Sequence, residues 1–251
     1  MKLDITSPSN PRLKELLAAR EERFFFAGDK LVRDILARPL RVDKLLIRPE
    51  HGAGLPACRA EVVEQWRVSL RVMEKAAGMK SPPSLLAVMA LPEARIDFRR
   101  CRVSLGLVGV QDPGNLGTVF RCASAFGLPA LALAGAGARP NHPKVVRAAQ
   151  TALLDVPFQV FRAPGELVNA ALAAGARVYV TGSGPGRGTL DMARMEFPCL
   201  LLLGGEGQGL DPALLQSFPR IRIDQEERID SLNVGVSACI LMHELRRLHR
   251  P

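Results

Sequence analysis

The chain has 251 residues, 47% of them hydrophobic and 5% aromatic, with a formal net charge of +9 and a pI near 9.9. That length holds one large domain or two modest ones with cores built mainly from Leu, Val, Ala and Ile, and the charge points to a polyanionic partner such as RNA, DNA or an anionic membrane. No run approaches the roughly 20 apolar residues of a membrane span, and the opening MKLDITSPSNPRLKELL lacks the apolar segment of a secretory signal, so a soluble, cytoplasmic protein is expected.

In chain order, the first hundred residues read as helix, helix, strand, helix, strand. They carry 19 Lys+Arg against 13 Asp+Glu, so most of the basic excess sits here. SNPRLKELLAAR opens with Ser and Asn capping candidates and Pro11 at a first turn. GDKLVRDILARP sets Leu31, Ile35 and Leu36 on one face before Pro39 ends it, and VDKLLIRP and SLLAVMAL read as short buried strands. PEARIDFRRCR (92–102) mixes Pro with four arginines and is the best linker candidate, which places an N-terminal domain at 1–98 and a second domain at 99–251.

From Val103 the pattern becomes strand, turn, helix, repeated. Apolar runs at 103–110, 130–134, 156–161, 177–181, 199–203 and 220–223 alternate with helical patterns near 116–126, 142–152, 164–174 and 211–216, and a long one at 231–248. Near-continuous apolar strands separated by helices imply an α/β domain whose parallel sheet is covered on both faces. In such sheets ligands bind at the carboxyl ends of the strands. Three of those ends carry unusual residues: VGVQDPGNLGTVFRCASAFG (108–127) with Asn115 and Arg121, LGGEGQGL (203–210) with Glu206 among glycines, and SLNVGVSACILMHE (231–244) with Ser231 and Asn233. Each has a plainer reading. Asn115 and Ser231 could cap helices, Glu206 could sit at a helix start, and Arg121 could be a surface arginine. Three such groups on one domain favour a functional site over three coincidences.

Other chemistries find little support. GSGPGRG (182–188) and GGEGQG (204–209) do not form G-x-G-x-x-G after the first strand, and no P-loop pattern occurs, which disfavours a dinucleotide oxidoreductase. The four histidines (His51, His142, His243, His249) have no ligand spacing and read as surface or loop residues, so no metal is expected. The five cysteines (Cys58, Cys101, Cys122, Cys199, Cys239) show no C-x-x-C pair and are expected to be reduced, buried thiols.

The three segments resemble the SpoU/TrmH family of RNA ribose 2′-O-methyltransferases, within the SPOUT superfamily. NLGTVFR is similar to the family's N-x-G-x-x-x-R, LGGEGQGL to its E-G-x-G-L loop, and SLNVGVSACILMHE to its S-L-N-V-x-V motif; ITSPSNPRLKELLAAR and FFFAGDKLVRDIL look like its N-terminal domain. Gly205 and Gly235 stand where Pro, Ala or Ser, and Ser, respectively, are usual, Ala27-Gly28 where Glu-Gly is frequent, and RAAQTALLDVP (147–157) departs from R-A-S-x-G-A, a change that could alter which RNA is accepted.

The resemblance implies a C-terminal SPOUT domain with a deep trefoil knot, behind a smaller α/β substrate-binding domain of ribosomal-protein-like type. It implies S-adenosylmethionine as donor, with Thr181, Gly204, Ile223 and Leu232 at the cofactor. It further implies a homodimer acting on structured RNA, ribosomal before transfer RNA. Asn115, Arg121, Glu206, Ser231 and Asn233 are then the catalytic set. A guanidinium does not accept protons in proteins, so Arg121 is better suited to gripping a phosphate in bidentate fashion and stabilising developing alkoxide charge. A non-catalytic RNA-binding protein on the same fold is the alternative, and it predicts loss of that polar set.

Overall fold

The computed structural model describes residues 1–49, 58–90, 94–182, 191–207, 209–226, 228 and 231–248. The chain forms two compact units: residues 1–92 together with 141–151, and residues 93–140 together with 152–251.

The first unit is built on a mixed five-stranded sheet in the order β1-β4-β3-β5-β2. Its strands are β1 (Lys2–Ile5), β2 (Phe24–Ala27), β3 (Arg41–Ile47), β4 (Glu61–Val68) and β5 (Leu85–Met89). β1 and β3 run parallel to β4, whereas β5 runs antiparallel to β3 and β2. Helices α1 (Pro11–Ala18), α2 (Asp29–Leu36) and α3 (Leu70–Ala77) accompany it. Asn10 caps α1 by accepting the Arg12 N–H at 2.9 Å, with Pro11 at the first turn as expected. Leu13, Leu16, Phe25, Leu46, Trp66 and Met73 are buried in one cluster. Three strands escaped the sequence reading. β1 and β2 are only four residues long, and β4 (EVVEQWRV) is mostly exposed or half-buried, with charges along it that pair with β3: Arg41 with Glu61 at 3.1 Å and Lys44 with Glu64 at 3.2 Å. Its stabilisation comes from cross-strand partners rather than from a continuous apolar run.

The second unit contains a six-stranded sheet in the order β11-β9-β10-β6-β7-β8, with every described pair parallel. Its strands are β6 (Val103–Val108), β7 (Ala130–Ala134), β8 (Phe158–Phe161), β9 (Arg177–Thr181), β10 (Cys199–Gly204) and β11 (Arg220–Ile221). Its helices are α4 (Pro113–Phe126), α6 (Ala152–Asp155), α7 (Pro164–Ala173), α8 (Pro212–Ser217) and α9 (Val234–Leu248); α5 (Pro143–Ala149) belongs to the first unit. β6 and β7 are buried at every position, which accounts for their largely apolar sequence, broken only by Ser104 in β6. The expected helix at 142–152 is two helices. They are separated at Gln150, whose backbone (φ 57°, ψ −134°) cannot continue a helix. The long C-terminal helix begins at Val234 rather than Ser231.

The expected linker is partly anchored. The Ala94 N–H donates to Phe158 O and the Ile96 N–H to the Gln159 side chain, both at 2.9 Å, while Ile96 and Phe98 pack with the second unit's core. The expectation of five reduced, buried thiols is also corrected. Cys122 and Cys239 are joined as a disulfide, Cys58 is exposed, Cys101 is half-buried, and only Cys199 is a buried free thiol. Two cysteines 117 residues apart cannot be matched by spacing. Among the described residues no helix is long and apolar enough to cross a membrane.

Candidate functional site

The sheet order places a switch point between β6 and β10. From β6 the chain steps outward to β7, while β10 lies on the other side. Ligand crevices open at such points because the loops leaving the two neighbouring strands diverge. Gly204 at the end of β10 pairs in register with Val108 at the end of β6, so both glycine-containing turns leave the sheet at one level. The Gly205 N–H donates to Val108 O at 2.8 Å, and Gly205 and Gly209 bridge to close the loop around Glu206.

The β6 turn runs into α4. Asp112 is the cap: its carboxylate accepts the Asn115 N–H at 2.8 Å. Asn115 is therefore not the helix cap, and its side chain is free to reach elsewhere. Its amide nitrogen donates to Glu206 Oε1, and its oxygen accepts from Asn233 Nδ2 at 3.1 Å. Asn233 Nδ2 also donates to Glu206 Oε1 at 2.8 Å. Asn233 Oδ1 accepts the Gly235 and Val236 N–H groups at 2.9 and 3.2 Å, so Asn233, and not Ser231, caps α9. One carboxylate oxygen thus gathers two side-chain amides from segments 91 and 27 residues away. Glu206 is exposed in a turn after β10 and stands ahead of Asp211, the residue that caps α8, so it is not the first residue of a helix.

Beside this triad lies a cleft of about 380 Å³. Thr181, Gly204, Ile223 and Leu232, the four expected cofactor residues, all line it together with Glu206 and Ser231. The wall also includes Gln225 and Ser237, which the sequence reading did not single out; both lie within or beside the third segment, but no spacing rule marks them. Apolar side chains (Leu210, Leu215, Leu241) and hydroxyls (Thr181, Ser231, Ser237) both contribute, a lining suited to a flat heterocycle joined to a polar tail. Gly204 allows backbone to approach where a side chain could not, because a Cβ there would overlap the backbone of Gly209 and Leu210.

Arg121 stands apart. It is exposed on α4 and makes no hydrogen bond or ion pair among the described residues. On a helix, six residues from Asn115 is roughly 120° round the axis, so the two side chains do not share a face. The face that Asn115 does share carries Val119, Cys122 and Phe126, and it meets α9. Among the described residues there is no group of His, Cys, Asp and Glu arranged to hold a metal ion.

A family profile described as the SpoU rRNA Methylase family matches residues 102–243. The chain is 30% identical over 250 residues to the 23S rRNA (guanosine(2553)-2′-O)-methyltransferase RlmP of Bacillus subtilis, covering 96% of this chain and 98% of that one. It is similar in structure to an AdoMet-bound rRNA methyltransferase from Sinorhizobium meliloti, at 26% identity, 98% coverage of both chains and a TM-score of 0.79. It is likewise similar to the SpoU methyltransferase AviRb of Streptomyces viridochromogenes in complex with AdoMet, at 25% identity, covering 95% of this chain and 97% of that one, with a TM-score of 0.76. The matched region contains β6, β10, the cleft and the polar triad, and the chain belongs to the SpoU rRNA methylase family.

Proposed function

We propose that this chain is an S-adenosylmethionine-dependent RNA methyltransferase that methylates a ribose 2′-hydroxyl in ribosomal RNA. The observation that carries the reading is the meeting of Asn115, Glu206 and Asn233, from three separate segments, at the rim of the cleft formed by Thr181, Gly204, Ile223, Ser231 and Leu232. The family membership and the 2′-O-methyltransferase relative support the substrate class.

The cleft's lining fits S-adenosylmethionine: Gly204 ends β10 and Ile223 lies two residues past β11, so backbone there can meet adenine, and Leu232 and Leu241 supply the apolar wall. When bound, this cofactor supplies an electrophilic sulfonium methyl. Displacement at such a carbon requires alignment of nucleophile and leaving group, so the protein's main task is positioning. Glu206, Asn115 and Asn233 form a closed hydrogen-bonded set that fixes the rim. Ser231, exposed beside it, is placed to hold the ribose. Arg121 would hold the neighbouring phosphate and stabilise charge on the ribose oxygen.

Arg121 makes no bond to its own chain's triad, and Val236 and Ile240 leave an apolar strip exposed on α9. Both features fit a homodimer in which the second copy completes the RNA site. The finer expectations belong to the same reading: a trefoil knot in the second unit, a ribosomal-protein-like RNA-binding role for the first, and action in the cytoplasm. Calorimetry with S-adenosylmethionine, followed by mapping of 2′-O-methyl positions in ribosomal RNA from cells with and without the gene, tests the proposal. Absence of both binding and a lost methyl position would refute it. Near-normal turnover by Arg121→Lys would rule out the bidentate role.

A further inference from the structure

α4 and α9 both begin at the candidate site and run from it side by side. Three contacts at increasing depth join them. At the top, Asn233 Nδ2 donates to Asn115 Oδ1, and Gly235 lies so close to Asn115 that an added Cβ would stand 3.4 Å from its side-chain oxygen. Cys122 and Cys239 come next, bonded with their Cα atoms 5.6 Å apart. Below them the Phe126 ring meets His243 edge-on at 5.7 Å, and Arg246 donates to Ala125 O at 3.4 Å. On α4 these positions are Asn115, Cys122 and Phe126, seven and four residues apart, and on α9 they are Gly235, Cys239, His243 and Arg246, four, four and three apart. Such steps keep side chains on one helix face.

From this we infer that Cys122 and Cys239 form a reversible thiol–disulfide pair that locks α4 and α9 in register, so that the order of the Asn115–Glu206–Asn233 rim follows the thiol redox state. What the rim does rests on the function proposed above; the bond and its effect on the helices do not. Cys122 directly follows Arg121, and Cys239 lies six residues beyond Asn233, so the covalent link sits about 10 Å, two turns, below the polar rung. Both residues are half-buried rather than sealed in the core. Intracellular disulfides, where they occur, are usually transient or redox-sensing.

Glutathione disulfide is a sufficient oxidant. The thiolate of one cysteine attacks a sulfur of glutathione disulfide, breaking that S–S bond, forming a mixed disulfide and releasing one glutathione thiolate. The second protein thiolate then attacks the mixed disulfide at the protein sulfur, forming the Cys122–Cys239 bond and releasing the second glutathione. The two protein thiols lose two protons and two electrons, and one glutathione disulfide gains them as two glutathiones.

The full-length chain is equilibrated in glutathione buffers of graded ratio, trapped by alkylation and mapped by mass spectrometry. Loss of two alkylatable thiols, confined to Cys122 and Cys239, is expected in the oxidising buffers. Amide hydrogen exchange is then compared between oxidised and reduced chain. The Gly235 and Val236 amides, which donate to Asn233, are expected to exchange more slowly when the bond is present. Methyl transfer to a ribosomal RNA transcript is expected to be roughly three- to tenfold faster in kcat for the oxidised form, within the ~10²-fold that a 1 Å misplacement can cost. A Cys122→Ser/Cys239→Ser double variant should match the reduced form and ignore the buffer. The inference is overturned if the two sulfurs alkylate in every buffer, or if the cap amides exchange equally in both states. It is also overturned if turnover of the active enzyme does not change with redox state. Slower exchange with no methyl transfer in any state would instead count against the proposed function and leave the lock standing.

Discussion

Gly205 offers the sharpest test of how the two motif loops fit together. A Cβ built here would lie 2.8 Å from the Gly109 carbonyl carbon and 3.2 Å from the Val110 nitrogen, and closer still to the Gly109 oxygen. Ordinary contact between such atoms is about 3.5–4.0 Å. All three opposing atoms are backbone, and Gly205 is itself held by its N–H bond to Val108 O, so neither side can give way cheaply. We expect Gly205→Ala to cost about 3 kcal/mol, the upper part of the usual overpacking range, because no rotamer can relieve it. For a unit of this size that corresponds to a loss of roughly 6–12 °C in Tm. S-adenosylmethionine binding should weaken in parallel, since relief would displace Gly204 and Glu206 at the cleft. Thermal unfolding by circular dichroism and calorimetric titration measure the two effects. Gly165→Ala is the control, because nothing lies within 4 Å of its added Cβ. If Gly205→Ala melts within about 1 °C of the parent and binds the cofactor equally well, the packing of the β6 and β10 turns described here is wrong.

Asn233→Ala removes the α9 cap and two bonds to the rim; we expect a stability loss of about 1–2 kcal/mol, read in urea unfolding, and turnover falling further than Tm alone would explain. Gln150→Gly should stabilise the chain by about 1 kcal/mol, because Gln150 holds a left-handed φ of 57° that glycine adopts freely; a lower melting temperature would show that its side-chain bond to Arg147 O matters more. Burial pushes the Cys199 thiol up to about 12 from an ordinary value of 9.0. It should resist alkylation at pH 8 in the native chain while exposed Cys58 reacts, and equal labelling rates would contradict this. The sign of the linkage follows: the unfolded chain releases this proton first, so the thiol's contribution to stability is intact below pH 9 and declines as pH rises toward about 12.

The central strands of the second unit's sheet were readable because they are covered on both faces. The runs at 130–134 and 177–181 coincide with β7 and β9, since a strand buried on two sides has no polar alternation to blur its limits. β4 was not readable for the opposite reason: much of it is exposed, and its charges make sense only beside β3. At the site, residue types and motif order named Asn115, Glu206 and Asn233, but their mutual bonds are long-range and follow from strand order. The same holds for the cap. Asp112 and Asn115 are both good capping residues three positions apart, and only the path of the turn decides that Asp112 takes the backbone and frees Asn115. Arg121 matched a motif, yet the helix turns it away from its partners in sequence, a geometric fact that a motif string does not carry.

The short stretch 141–151 has a practical consequence. Asn141 donates to the carbonyls of Arg20 and Glu21 at 3.1 and 2.7 Å, and with α5 this stretch belongs to the first unit although it is encoded between β7 and α6. A fragment ending near residue 92 would therefore be missing a piece of its own body, and the remainder would carry an orphaned helix. Anyone exchanging the front half for that of another enzyme must transplant two non-adjacent stretches of gene, and natural recombination faces the same bookkeeping.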